Sequence, residues 1–139
     1  MRSLHCSIII TSFIVASIVL TSGCILGSAP SADASNAANT TADNMFQSFN
    51  TGNYPQFSAN FSDAMARGIN ETAFVDMRNQ IRSRYGTYAS KTMTQAYNSQ
   101  GYNSFVYNCT FERGTLTIRI VMNTGNPWTV EGLWFPNGI

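Results

Sequence analysis

Residues 102–112 have the sequence YNSFVYNCTFE, in which aromatic or apolar side chains alternate with mostly polar ones. This alternation predicts a β-strand. Side chains of a strand point to opposite faces in turn, so one face of this strand is predicted to be buried. The residues on that face are Phe105, Tyr107, Cys109 and Phe111. A tight turn at Arg113-Gly114 leads into a second alternating run, Leu116–Met122. The two runs together predict an antiparallel hairpin.

One further strand is predicted on each side of the hairpin. Tyr88–Tyr97 is rich in Thr and Tyr, which favour strands, and a loop at Asn98–Gly101 separates it from the hairpin. After the turn Asn123–Pro127, the segment Trp128–Phe135 is the last predicted strand. Because the strands follow one another with short connections, we expect an antiparallel sheet of about four strands.

The segment before the strands has the three- and four-residue spacing of amphipathic helices. The first predicted helix ends at Gly52, and the second begins around Asn53-Tyr54-Pro55 and ends at Gly68. The third begins after its cap Asn70 and stops at Gly86, for which we expect a positive φ. Helices followed by antiparallel strands predict the α+β class, with three N-terminal helices packed on a curved antiparallel sheet.

The N-terminus has the order of a secretory signal: a basic Arg2, an apolar run over Ile8–Leu20, and small residues before Cys24. A cysteine at this point resembles the lipobox of bacterial and archaeal lipoproteins, in which the thiol carries lipid and becomes the new N-terminus. The sequence departs from the usual box, because Thr21 stands where Leu is usual and Leu20 comes one residue earlier. We expect a protein anchored through Cys24 to the outer face of the cell membrane.

Two other interpretations of this segment remain open. Ser7–Leu26 reaches the minimum length of a membrane-spanning helix. If this segment spans the membrane and is not cleaved, it would itself anchor the protein. Cleavage without lipidation would instead give a secreted protein. Each interpretation places the rest of the chain outside the cytoplasmic membrane.

The stretch after the cysteine, Gly27–Thr41, contains no large apolar residue and has no period, so we predict a flexible tether. The chain then divides into a signal peptide at 1–23, the lipidated Cys24 with its tether at 24–41, and a folded α+β domain at 42–139. The last part is long enough for one compact domain.

Loss of the signal peptide limits the chemistry of the chain. His5 is the only histidine, and Cys109 is the one cysteine left beside Cys24, so we predict a buried structural thiol and expect no metal and no cofactor. Charged residues make up 11% of the chain, and without Arg2 seven basic residues balance seven acidic ones. Nucleic acid binding needs a concentrated basic field, so we expect no nucleic acid partner.

The order and spacing of these elements resemble a family of small extracytoplasmic modules known only as a domain of unknown function. The residues that carry the likeness are Gly52-Asn53-Tyr54, Phe61–Met65, Phe74–Tyr88 and Gly132-Leu133-Trp134-Phe135. Such modules occur alone in lipoproteins and ahead of α/β-hydrolase domains, and they look like members of the nuclear-transport-factor-2-like (cystatin-like) superfamily. The resemblance covers Ala37–Pro136 and implies a cone-like fold, without implying an activity.

The resemblance also implies a place for a ligand, because this superfamily tends to hold ligands between the third helix and the sheet. Tyr88, Tyr107 and Trp134 are the residues that we expect to line such a mouth, which would take a small apolar ligand or a protein partner. The alternative is that these aromatic side chains fill the core of the sheet.

We therefore expect a non-enzymatic binding or interaction module without catalytic residues. One alternative is a small enzyme that uses Glu131, which lies in an aromatic strand between Trp128 and Trp134, as its acid or base. Another alternative is a scaffold that forms a homodimer through its sheet.

Overall fold

The computed structural model describes residues 27–139, so the predicted signal peptide and Cys24 lie outside the described residues. Four helices precede four strands: α1 (Ala32–Thr51), α2 (Tyr54–Phe57), α3 (Asp63–Gly68), α4 (Glu71–Tyr85), β1 (Tyr88–Ser99), β2 (Tyr102–Phe111), β3 (Gly114–Met122) and β4 (Val130–Trp134). The strands form one antiparallel sheet in the order β1-β2-β3-β4. The predicted α+β class is confirmed, with four helices rather than three. None of the helices within residues 27–139 is both long and apolar enough to span a bilayer.

The prediction of a flexible tether over residues 24–41 is wrong from Ala32 onward, where α1 begins. The hydroxyl of Ser31 caps this helix by accepting a hydrogen bond from the Ala34 amide at 3.1 Å. Ala34, Ala38 and Thr41 are buried, so the first half of α1 belongs to the core. The first half of α1 packs on the core through small side chains, so residues 32–41 include no large apolar residue. The lack of large apolar residues is the feature from which the sequence predicted a tether.

The predicted second helix, from Asn53 to Gly68, is interrupted and forms α2 and α3. Between them, Phe61 pairs with Val130 of β4 in a parallel bridge. The Val130 amide donates to the Asn60 carbonyl at 2.7 Å, and the Ser62 amide donates to the Val130 carbonyl at 3.0 Å. Pairing with the edge of the sheet therefore overrides the helical spacing of this segment, and Ser62 caps the new helix α3.

The core lies between the helices and one face of the sheet. Phe46 of α1 is fully buried, and its ring packs against Phe49, Tyr88 and Tyr107 with centroid distances of 6.1, 5.9 and 5.7 Å. The sheet contributes the alternating residues that the sequence placed on the buried face of β2 and β3; these are Phe105, Tyr107, Cys109, Phe111, Leu116, Ile118, Ile120 and Met122. The prediction for the two central strands is confirmed.

Arginine side chains of α4 hold the C-terminal end of α1. The Arg78 guanidinium donates to the carbonyls of Phe49 and Asn50, at 2.9 and 3.1 Å, and Arg82 also reaches the Asn50 carbonyl. The Asn50 side chain in turn bonds both the amide and the carbonyl of Tyr88, each at 2.9 Å. Carbonyls at a helix end lack partners within the helix, so this network satisfies them and joins α1 and α4 to β1.

Gly86, the residue that ends α4, has a φ of 81° as the sequence predicted, with a ψ of −144° that only glycine adopts readily. A Cβ atom here would lie 2.8 Å from Glu112 Oε2 and 3.0 Å from Glu112 Cβ. We therefore expect Gly86→Val to lower the free energy of unfolding by about 1–3 kcal/mol in urea denaturation. Gly68→Val is the control, because a Cβ at Gly68 meets no atom within 4 Å. Equal unfolding midpoints for the two variants would contradict this account of the turn.

Candidate functional site

On the face of the sheet opposite the helices, one row of paired residues crosses all four strands. Cross-strand pairs place Tyr97 beside Ser104, Ser104 beside Val121, and Val121 beside Gly132. In the neighbouring row, Arg119 of β3 is paired with Trp134 of β4. Residues from all four strands therefore meet on this outer face, although they are far apart in the sequence.

A groove of about 360 Å³ lies on the outer face, and we call it the outer groove. Its volume falls at the lower end of the range of about 300–1,000 Å³ that is usual for small-molecule sites. The residues that line it come from the β1–β2 hairpin and from β3 and β4: Tyr97, Ser99, Gln100, Tyr102, Ser104, Arg119, Val121, Glu131 and Trp134. It therefore combines three aromatic rings, several polar groups and two charges of opposite sign.

The position of Trp134 depends on the glycine two residues before it. A Cβ at Gly132 would overlap two atoms of the indole ring, so the ring can lie against the strand only because residue 132 has no side chain. The Arg119 guanidinium carbon lies 4.8 Å from the centre of the Trp134 ring, within cation–π distance. The indole is thus held by the backbone of β4 and by a cation of β3.

Two aromatic residues of the outer groove remain open to solvent. Tyr102 is 46% exposed and Trp134 is 44% exposed, and among residues 27–139 Val75 is the one other large apolar side chain with comparable exposure. Exposed aromatic rings that share one depression of the surface are typical of a recognition site, because contact with a ligand removes their apolar area from water.

The two charged residues of the outer groove do not neutralise each other. Within the described part of the chain, the one salt bridge joins Lys91 to Asp43, away from the groove. Arg119 Nε is buried and has no hydrogen-bond partner among the described residues. Glu131 Oε1 accepts a hydrogen bond from the Thr129 hydroxyl at 2.8 Å. The groove can therefore offer a donor and an acceptor of opposite charge to a bound molecule.

The structure does not bring the three predicted ligand-binding residues together. Tyr88 and Tyr107 are buried against Phe46 on the helix side of the sheet, whereas Trp134 lies on the outer face. Burial raises the pKa of both tyrosine hydroxyls well above the usual range, so both stay neutral. Tyr88 and Tyr107 therefore follow the alternative interpretation, in which the aromatic side chains fill the core. Of the three predicted residues, Trp134 is the one that lines a groove.

Sequence reasoning missed Tyr97, Tyr102 and Arg119 as members of this site. The alternation of β2 and β3 could have placed Tyr102 and Arg119 on the outer face, because each is an odd number of residues from its buried neighbours. Tyr97 could not have been placed in this way, since β1 shifts its register between Met93 and Gln95.

Cys109 has the environment of a structural thiol. It is fully buried on the core face, and burial raises its pKa to about 12, while nearby Lys91 lowers it to a smaller extent. In a chain that begins at Gly27 it is the sole cysteine. We expect this thiol to be inert to an aromatic disulfide reagent at neutral pH and to react fully in denaturant, since the thiolate is the reactive form. Rapid labelling of the folded chain would contradict its burial.

A second depression of about 370 Å³ lies near the start of α1, and we call it the helix cavity. Its lining is mostly uncharged and polar, and consists of Ala37, Thr40, Thr41, Asn60, Asn126, Pro127 and Trp128. Unlike the outer groove, it has no charged residue in its lining. No group of three or more potential metal ligands occurs among residues 27–139.

Four helices on one face of an open four-stranded antiparallel sheet define an α+β domain. A crystal structure of a domain of unknown function with a cystatin-like fold, from Nostoc punctiforme, is similar at 13% sequence identity. The similarity covers 74% of this chain and 76% of that chain with a TM-score of 0.50, and it shows the fold alone. The family described as "Protein of unknown function (DUF3887)" matches residues 42–127, and the chain belongs to this family. No curated protein matches the sequence.

Proposed function

We propose that this protein is a membrane-tethered extracytoplasmic lipoprotein whose folded domain is a non-enzymatic binding module. The observation that carries the proposal is the outer groove, in which exposed Tyr102 and Trp134 stand beside two charges, Arg119 and Glu131, that do not pair with each other. Groups with these properties, on one face of a rigid sheet, are suited to holding a small ligand in one orientation.

The groove specifies the kind of ligand that would fit. An aromatic or apolar ring can lie on the open surfaces of Trp134 and Tyr102, where it removes apolar area from water. A carboxylate or other acceptor can bind the Arg119 guanidinium, and a donor can bind Glu131. We therefore propose a small amphiphilic molecule that carries a planar or apolar part and polar groups.

Attachment to the membrane through Cys24 is the second part of the proposal. The basic, apolar and small residues before this cysteine have the order of a lipoprotein signal. The folded domain begins close behind it, because α1 starts at Ala32. A module held in this way would meet its ligand at the outer surface of the cell.

Catalysis by Glu131 is the competing hypothesis, and one observation favours it: its carboxylate lies in the outer groove. General acid–base chemistry usually needs a second titrating group or an oriented nucleophile near the first. The described residues that line the groove contain neither a histidine nor another carboxylate. Tyr97 and Tyr102 also line it, but the hydrogen bond of the Glu131 carboxylate goes to Thr129 and not to either tyrosine. Binding is therefore the better-supported function.

The proposal is tested with a soluble chain that begins at Gly27 and a library of aromatic carboxylates and amines, screened by thermal shift. For a compound that stabilises the parent chain, we expect Trp134→Ala to weaken binding about tenfold or more, which is about 1.4 kcal/mol. Trp128→Ala is the matched control, since Trp128 lines the helix cavity, and it should bind like the parent. Loss of binding in Trp128→Ala with full binding in Trp134→Ala would contradict the proposal.

Two further outcomes would favour the other hypotheses. A compound that the parent chain converts, and that Glu131→Gln binds without converting, would show an enzyme. If no compound binds and the chain is a dimer that Tyr102→Ser dissociates, the outer face is a dimer interface and the scaffold hypothesis becomes the better account.

A further inference from the structure

One end of the sheet is almost free of charge, and we call it the hairpin end. It consists of the β1–β2 turn at Gln100-Gly101 and the β3–β4 loop at 123–129. Residues 92–111 and 120–130 include no charged side chain; the charged residues that flank these two segments are Lys91, Glu112, Arg119 and Glu131. The opposite end, at the β2–β3 turn, carries the charged residues Arg82, Arg84, Glu112 and Arg113.

The chain enters the domain at the hairpin end. The Asn98 amide, near the end of β1, donates a hydrogen bond to the Ser28 carbonyl at 2.8 Å. Gly27 comes three residues after Cys24 in the sequence. An extended chain covers at most about 3.6 Å per residue, so these three steps span roughly 11 Å at most. A lipid on Cys24 would therefore hold the hairpin end close to the bilayer surface, instead of suspending the domain on a long linker.

The side chains of the hairpin end suit that position. Tyr102 is strongly exposed and Trp128 is half-buried, and tyrosine and tryptophan are enriched at the level of lipid headgroups because each joins an apolar ring to a polar group. The remaining side chains there are mostly Ser, Thr, Asn and Gln, which can bond headgroups and interfacial water. An uncharged surface avoids the cost of removing charges from water.

We propose that the hairpin end rests on the headgroup region of the membrane that carries the anchor, with Tyr102 and Trp128 as its interfacial residues. This inference depends on the proposed tether and adds the orientation of the domain. The outer groove, whose lining includes Ser99, Gln100 and Tyr102, then opens beside the bilayer surface. A ligand that collects at the membrane would reach the groove directly.

The test compares two matched threonine positions at opposite ends of β3. Thr124 lies in the β3–β4 loop, Thr115 lies near the start of β3, and both are exposed. A strand rises about 3.4 Å per residue, so the strand separates the two positions by roughly 25–30 Å. Thr124→Cys and Thr115→Cys are each introduced into the full chain, purified from membranes of a host that processes it, and labelled with an environment-sensitive fluorophore. The parent chain, in which Cys109 is buried, controls for background labelling.

Each labelled protein is placed in phosphatidylcholine vesicles that contain a lipid with a nitroxide on its headgroup. We expect several-fold stronger quenching of the label at residue 124 than of the label at residue 115. Equal quenching, or stronger quenching at residue 115, in protein that floats with the vesicles would overturn the proposed orientation and leave the tether intact. Protein that does not float would overturn the tether and the orientation together.

Discussion

Replacing Cys24 by serine is expected to release the protein from the membrane. Lipid is attached through the thiolate of the cysteine, and a serine hydroxyl does not substitute for it in this reaction. Each buried CH₂ of an acyl chain contributes about 0.8 kcal/mol to membrane binding, so loss of the lipid removes the principal attachment. Partition between detergent and aqueous phases measures the effect, and we expect the variant to move from the detergent phase to the aqueous phase.

The matched control for this experiment is Cys6→Ser, because Cys6 lies in the predicted signal peptide and would be removed during processing. This variant should stay in the detergent phase with the parent protein. If Cys24→Ser also partitions like the parent, the apolar segment is a membrane-spanning anchor and the lipoprotein hypothesis fails.

Removal of the Phe46 ring is expected to destabilise the domain more than any other single change considered. The side chain is fully buried and contacts three further aromatic rings from α1, β1 and β2. Substitution of a buried Phe by Ala typically costs about 3–5 kcal/mol, whereas a whole domain of this size is stable by about 5–15 kcal/mol. Urea unfolding of the chain from Gly27, followed by circular dichroism, should show a large loss of stability or an unfolded chain.

Val75→Ala on α4 is the control for this loss, since Val75 is 43% exposed. Exposed substitutions usually change stability by about 0.5 kcal/mol or less. If Phe46→Ala and Val75→Ala unfold at the same urea concentration, the described core is not what stabilises the protein.

The two central strands, β2 and β3, were predictable because buried and more exposed side chains alternate along them. Phe105, Tyr107 and Cys109 point into the core as the sequence indicated, and β2 and β3 begin and end within two residues of the prediction. The cap of α4 was also predictable, because Asn70 is a residue type that accepts a hydrogen bond at a helix start; its Oδ1 accepts from the Ala73 amide at 3.0 Å.

The helical region was harder to predict where long-range contacts decide it. Ala34 and Ala38 are too small to mark a buried helix face, and only their close approach to the rest of the core shows it. The break between α2 and α3 depends on the pairing of Phe61 with Val130, which lie far apart in the sequence. Local patterns do not contain such contacts.

The candidate site was the least predictable part for the same reason. Trp134 could be selected from its residue type, but its neighbour Arg119 belongs to another strand, and the pairing of β3 with β4 brings them together. Tyr88 and Tyr107 have the same aromatic character as Trp134 and lie on the other side of the sheet. Residue type alone therefore does not separate core aromatics from exposed ones.

The most direct test of the binding function is to map a bound compound onto the domain. The isotope-labelled chain from Gly27 is titrated with the aromatic carboxylate or amine that gives the largest thermal shift, and amide resonances are followed by NMR. We predict shifts that concentrate at residues 97–104, 119–121 and 131–134, around the outer groove. Shifts confined to the helix cavity, around Thr40, Asn60 and Trp128, would contradict the assignment of the outer groove as the binding site.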